Sequence, residues 1–391
     1  MNFSFIFFLY VYIICGVTYG IHSLNYTDEL AVVWICIYYF NKVINRKLRV
    51  GTPLLIYLFL LLFYVVYSFC LNIAPAEAIL QDAIQESKPY LLFLTLYDLK
   101  ITVKQKQKYI LNRISIIVIF ISSFIWAFLS TQTAYKLLLH PGYYGNIIFV
   151  SSLLFLYTSH QSKKSFFLFF IFITIGLICG RSKYYGEYVA AIALLLSSNY
   201  KLTFSVKNIV QVLVLMGLAI AVSWEKFYSY FLSNNEEAAR TILYVTSLRI
   251  FTDYFPLGVG LGAYANDASK VYYSEVYDMY DISNIWGLSR DFDRFIADTY
   301  YPVIIGQFGA IGVCFFVIFW GWIIKNMNIL FYSKSNIDYK ICLLIIIAII
   351  IESVAGPMLV SSIGLSYIIL LSIIISENKK KIQNENYTYR I

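Results

Sequence analysis

Apolar residues in this chain gather into long runs joined by polar connections. The runs fall at about 2–20, 29–41, 53–73, 89–99, 114–130, 144–159, 165–180, 186–198, 208–223, 302–323, 341–356 and 359–376. A helix needs about 20 mainly apolar residues to cross a bilayer, so the pattern predicts an all-α, polytopic membrane protein with about twelve transmembrane helices. The runs at 29–41, 89–99 and 186–198 are short and suit tilted or broken spans. The first run, Asn2 to Gly20, has no basic stretch before it and no small-residue cleavage site after it, and so reads as a retained span rather than a signal peptide.

The basic residues orient the spans. With the N-terminus cytoplasmic, the inward connections hold 20 of the 30 Lys and Arg, among them Arg46, Lys47, Lys104, Lys106, Lys163, Lys164, Lys379 and Lys380. Positive charge concentrates on the cytoplasmic side of membrane proteins, so both termini are expected to be cytoplasmic. Most acidic residues fall on the other side, including Asp28, Glu29, Glu77, Asp82 and Glu86. The expected organisation is a bundle of about nine spans over 1–223, a large extracytoplasmic loop over 224–301, C-terminal spans over 302–376 and a cytoplasmic tail over 377–391. A loop this long is usually functional or disordered, and its varied sequence favours function.

Composition agrees. Hydrophobic residues make up 60% and charged residues 13%, against about 45–50% and about 25% in soluble domains. This excludes an ordinary soluble enzyme and a plain nucleic-acid binder. The six cysteines lie in or beside apolar runs without a CxxC spacing and read as small core residues. Only three histidines occur, His22, His140 and His160, dispersed over three loops, so no metal set is expected. Asn25-Tyr26-Thr27 matches an N-glycosylation sequon, a weak three-residue signal.

The long loop holds most of the candidate chemistry. Asn234-Asn235-Glu236-Glu237 reads as a helix cap with acid in the first turn, and a helix is expected over 238–251 with Ile242, Val245, Leu248 and Ile250 apolar. Arg240 and Arg249 would then face different sides. Gly258, Gly260 and Gly262 alternate after Pro256, which suits either a backbone approach to a ligand or a sharp turn at the membrane surface. Tyr264, Tyr272, Tyr273, Tyr277, Tyr280 and Trp286 lie among Asp267, Asp278 and Asp281, a mixture that suits sugar rings or an interfacial aromatic belt. Arg290, Arg294 and Asp298 have i,i+4 spacing and read as a salt-bridged helix. Outside the loop, Arg181 and Lys183 follow Gly180 at the end of one run, and Glu352 lies near the end of another. Ionisable groups at such positions are functional candidates, and the planar fork of arginine suits a diphosphate. Glu77, Asp82 and Glu86 read as an acidic helical face or a solvated loop.

Three stretches together resemble a known family. They are Gly180-Arg181-Ser182-Lys183; Leu248-Arg249-Ile250-Phe251 leading into Pro256-Leu257-Gly258-Val259-Gly260-Leu261-Gly262; and Asp298-Thr299-Tyr300-Tyr301 followed by Gly306-Gln307-Phe308-Gly309-Ala310-Ile311-Gly312. Their order, with many spans and one long late loop, resembles the Wzy-type O-antigen and capsular polysaccharide polymerases and the related O-antigen ligases. Ligases of this family carry a histidine where Asp298 stands, and the long loop here has none, which favours polymerase over ligase. Gln307 departs from the acidic residue usual in that motif.

The resemblance implies transfer of a growing glycan from undecaprenyl diphosphate to another lipid-linked repeat unit, without metal or cofactor, at the outer face of a bacterial cytoplasmic membrane. A chain-length regulator is a candidate partner, which the sequence does not decide. On this reading Arg181 and Arg249 contact the diphosphate, with Arg240 and Arg290 in second place. Asp298 is the base or acceptor-orienting group, with Glu352 behind it. Lys183, Gly258, Gly260, Gly262 and Tyr264 are expected to line the substrate. A lipid-linked oligosaccharide transporter is the main rival, but transporters place polar groups at mid-membrane within paired repeats.

Overall fold

The computed structural model describes residues 3–21, 26–159, 162–196, 239–331 and 336–388. Among these residues every regular element is helical. In chain order they are α1 (Phe3–Leu9, continuing as a π-helical stretch Tyr10–Val17), α2 (Thr27–Ile44), α3 (Thr52–Leu71), α4 (Ala76–Leu99), α5 (Gln105–Phe128), α6 (Thr131–Leu138), α7 (Pro141–Thr158) and α8 (Lys163–Gly176). After these come α9 (Ser182–Leu196), α10 (Ala239–Asp253), α11 (Asp267–Val271), α12 (Val276–Met279), α13 (Tyr301–Leu330), α14 (Asn336–Ser353) and α15 (Ser362–Thr388).

Among the described residues, four helices are long and apolar enough to cross a bilayer: α3, α5, α13 and the Ser362–Lys380 part of α15. Taken as one broken span, α6 and α7, which meet at 56°, make five. The other apolar runs fall on shorter or more polar helices, or outside the described residues. Helices α8 and α9 have 14 and 15 residues, below the about 17–25 of a full span. The first half of α4 carries Glu77, Asp82, Glu86 and Lys88. The run at 208–223 and the cap at Asn234-Asn235-Glu236-Glu237 lie outside the described residues.

The outward surface is that of a multi-pass membrane protein. Helix α3 exposes Leu55, Ile56, Phe59, Leu62, Phe63, Val66 and Phe69, and turns Tyr57, Tyr64 and Ser68 inward. Helix α5 likewise exposes Ile117, Phe120, Ile121, Phe124 and Phe128. Apolar stripes of this extent are tolerated where lipid, not water, meets them. At the centre every residue of α7 is buried. Two of its serines bond back along the helix, Ser151 to the Ile147 carbonyl at 2.6 Å and Ser152 to the Ile148 carbonyl at 2.7 Å, and Ser151 also meets the Tyr12 hydroxyl at 2.6 Å. Helix α15, the other central element, packs on α4, α14 and the π-helical stretch. It runs on to Thr388 through the segment expected as a cytoplasmic tail, and Glu377 within it binds Lys108 at 2.7 Å.

The segment after residue 238 folds onto the bundle instead of standing away from it. Its own small core joins Leu243, Ile250, Tyr264, Tyr277 and Ile296 to Tyr64, Ala78 and Ile79 of α3 and α4. The alternating glycines make this possible. Gly258, Gly260 and Gly262 all have positive φ, and a β-carbon on them would stand 2.5–2.7 Å from Gly306, Ser68 and Ala78 respectively. Their backbone is bonded within the protein. Val259 and Gly260 N–H donate to the Gly306 and Gln307 carbonyls, both at 3.0 Å, Leu261 N–H donates to Ser68 Oγ at 2.8 Å, and Gly262 N–H donates to Asp82 Oδ2 at 2.7 Å. Gly309 (φ 54°, ψ −151°) breaks α13 where Pro256 and Leu257 press against it.

Several local expectations change accordingly. The helix expected over 238–251 forms as Ala239–Asp253, but its buried face is Leu243, Thr246, Ser247 and Ile250, while Val245 and Leu248 are exposed. No helix forms between α12 and α13, so Arg290, Arg294 and Asp298 do not bridge at i,i+4. Asp82 and Glu86 are buried, not solvated. Of the cysteines, Cys15, Cys179 and Cys342 are core residues, whereas Cys70 and Cys314 face outward.

Candidate functional site

Five separate pieces of chain bring charged side chains together at the loop-bearing end of the bundle. They are the break between α6 and α7, the junction of α8 and α9, the start of α10, the residues before α13 and the end of α14.

The end of α14 is the anchor. Its last turns expose carbonyls that no helical N–H can reach, and neighbouring groups take them up. Tyr244 and Tyr301 hydroxyls donate to the carbonyls of Val354 (2.8 Å) and Ile350 (2.9 Å), and Tyr300 N–H donates to Ser353 (3.2 Å). Lys183 Nζ donates to the Ala355 carbonyl at 2.8 Å and forms an ion pair with Glu352 at 2.7 Å. These bonds fix α9, α10 and the start of α13 against one helix end.

Around this anchor, Arg240 Nε donates to Asp298 Oδ2 at 2.8 Å, and the guanidinium NH2 group reaches the same oxygen. Arg181 is exposed beside Cys179, with no carboxylate partner among the described residues. His140 caps α7, its Nδ1 accepting from Tyr143 N–H at 3.2 Å. The neutral ring therefore carries its proton on Nε2. Lys183, Arg181, Glu352 and Asp298 all lie within electrostatic reach of His140. Beneath them, Glu187 is completely buried one turn along α9 from Lys183.

The sequence-derived candidates thus divide. Arg181, Lys183, Arg240, Asp298 and Glu352 converge. Asp298, expected as a free base, holds Arg240 and so orients it. Arg249 is exposed nine residues further along α10, roughly 13 Å along the axis from Arg240 at about 1.5 Å per residue. Arg290 lies on the loop surface, paired with Asp278 at 2.8 Å and stacked over Tyr273 at 4.5 Å. Hydrogen bonds from Ser283 and Arg290 hold the Asp278 carboxyl below the usual carboxylate range. Gly258, Gly260 and Gly262 lie against Gly306, Ser68 and Ala78 of the protein itself. Tyr264 is fully buried, stacked on Tyr277, with its hydroxyl donating to the Leu243 carbonyl at 2.7 Å. It belongs to the loop core and has no face open to a sugar ring. Tyr272 and Trp286 are the exposed aromatics of that set.

Two functional candidates were missed. His140 had a usable signal, a rare histidine directly before Pro141-Gly142 at the start of an apolar run. Glu187 lies inside the apolar run at 186–198, where an ionisable residue is itself a signal. Chemically, the cluster gathers three cations and an imidazole around a face that also holds two paired carboxylates. Such an array stabilises negative charge as it develops on a leaving group.

Neither the protein-family models nor the curated proteins compared with this chain give a match.

Proposed function

We propose that this protein is a polysaccharide polymerase of the Wzy type. It would transfer a growing glycan from undecaprenyl diphosphate onto a lipid-linked repeat unit at the outer face of a bacterial cytoplasmic membrane. The proposed topology has about twelve spans and both termini cytoplasmic, with a chain-length regulator as partner. The observation that supports this reading is the convergence of Arg181, Lys183 and Arg240 with His140, Asp298 and Glu352 from five separate segments.

In the proposed reaction the acceptor hydroxyl oxygen bonds to the anomeric carbon as the bond from that carbon to the diphosphate breaks. Arg181, Lys183 and Arg240 take up the charge of the leaving diphosphate. Asp298 holds Arg240 in place through Oδ2 while its other carboxylate oxygen accepts the hydroxyl proton, and the Nε2–H of neutral His140 donates a hydrogen bond to the departing diphosphate. Chain extension by Arg181→Ala and Arg240→Ala proteins, at parental protein levels, tests the assignment. Loss of extension in both supports it, and full extension in both removes the cation cluster from the chemistry.

A second reading draws on His140. The missing loop histidine argued against an O-antigen ligase-type glycosyltransferase, yet His140 lies within electrostatic reach of Asp298 from another part of the chain. Transfer of finished polymer to a final acceptor is therefore the alternative outcome to score.

A further inference from the structure

Glu187 lies at a point where most membrane proteins avoid a carboxylate. It is 0% exposed, and neither carboxylate oxygen has a hydrogen-bond partner. Two charged groups reach it: Glu352 from α14, which packs against α9, and Lys183 on its own helix. Cys179, Tyr184 and Tyr367 are its other titratable neighbours. Lys183 and Glu187 are four residues apart, the spacing at which a lysine and a glutamate ordinarily pair along a helix. Here the ammonium turns away and binds Glu352 at 2.7 Å and the Ala355 carbonyl at 2.8 Å.

One cation therefore stands between two carboxyl groups. Ionising both would leave a net negative charge in a low-dielectric setting, and the cost of a buried unpaired ion is several kcal/mol or more. Two carboxylates sharing one site cannot both ionise freely. Glu352 has the ammonium, so the proton belongs to Glu187.

We propose that Glu187 is a proton-carrying site, a neutral carboxylic acid held one turn beneath Lys183, and that its neutrality positions Lys183 on Glu352 at the mouth of the cluster. If Glu187 ionised, it would compete for the same ammonium and draw it away from the end of α14. Glu187 is thus a positioning residue for Lys183, a role that rests on the cluster being the working site, whereas its charge state does not.

Infrared spectroscopy of the full-length protein in detergent reads that state directly, because the carbonyl stretch of a protonated carboxylic acid lies apart from the amide and carboxylate bands. The parent spectrum at neutral pH minus that of Glu187→Gln should show a carboxylic-acid band that shifts in heavy water. Glu187→Asp, which keeps the acid, should move the band instead of removing it, and serves as the probe if the glutamine variant does not fold. A difference spectrum with only carboxylate bands would overturn the proposal. Neither result depends on glycan synthesis, so failure here is distinct from failure of the polymerase reading.

Discussion

Gln307 offers the sharpest test of how the late loop is held. Its side-chain oxygen accepts from Ala263 N–H at 2.8 Å, Tyr264 N–H at 3.0 Å and Asn266 Nδ2 at 3.1 Å, and its nitrogen donates to Asp82 Oδ2 at 3.0 Å. All of these groups are buried. Gln307→Leu keeps the size and removes every bond. A buried donor left without a partner costs about 1–3 kcal/mol. Taking about 1–2 for each of the two backbone amides, the groups least free to move elsewhere, gives roughly 2–4 kcal/mol lost from the docked loop. Each 1.4 kcal/mol is tenfold, so hydrogen exchange at the Ala263 and Tyr264 amides should quicken by roughly 30- to 700-fold. Asn266→Ala, which removes a single donor, should move the same amides much less. The assay is mass-resolved exchange in detergent, with overall helicity checked by circular dichroism. Unchanged exchange in a helical, folded Gln307→Leu protein would refute the claim that Gln307 clamps the loop.

Other consequences are quicker to state. Gln307→Glu keeps the acceptor but sets a second carboxyl against Asp82, so the pair must share a proton; the ratio of its Ala263 exchange rate to the parent's should be near one in mild acid and rise with pH, and a ratio that does not change with pH would contradict this. Gly258→Ala forces an unfavourable φ and a β-carbon 2.5 Å from the Gly306 carbonyl oxygen, costing at least about 1–2 kcal/mol, which should appear as a lower unfolding temperature in detergent. Arg290→Ala removes only an exposed pair and should leave that temperature unchanged; a clear drop would mean Arg290 holds more than Asp278. Asp298→Asn should weaken chain extension by loosening Arg240, and extension at the parental rate would end the positioning role.

Much of this arrangement was readable from the chain alone. Arg181, Lys183 and Glu352 could be singled out because ionisable residues at the ends of apolar runs are rare and costly, whereas Arg240 and Asp298 stood out as a loop arginine suited to a diphosphate and as part of the family-like motif. What sequence could not supply was pairing across long separations. Asp298 has Arg294 at helical spacing, yet its partner is Arg240, 58 residues away. The alternating glycines advertised a close approach but not what they approach, which is α3, α4 and the break in α13. Tyr264 looked like its neighbours in an aromatic-rich loop, and only packing distinguishes the buried ring from exposed Tyr272. Apolar length alone also does not tell a full span from a short or polar-tipped helix such as α8, α9 or α4, so only four or five of the expected spans stand out by length and composition among the described residues. His140 was legible as a rarity, but its proximity to Asp298 depends on how α7 sits against α9 and α14.

The central claim is that this chain extends a lipid-linked glycan. The most direct test is the surface glycan ladder of a strain lacking it, complemented by the parent protein or by Arg181→Ala. The account predicts a single repeat unit with no ladder in the deletion strain, restored by the parent and not by Arg181→Ala. Long polymer retained on the lipid carrier would indicate a ligase instead, repeat units trapped on the cytoplasmic face would indicate a transporter, and an unchanged ladder would contradict the glycan reading.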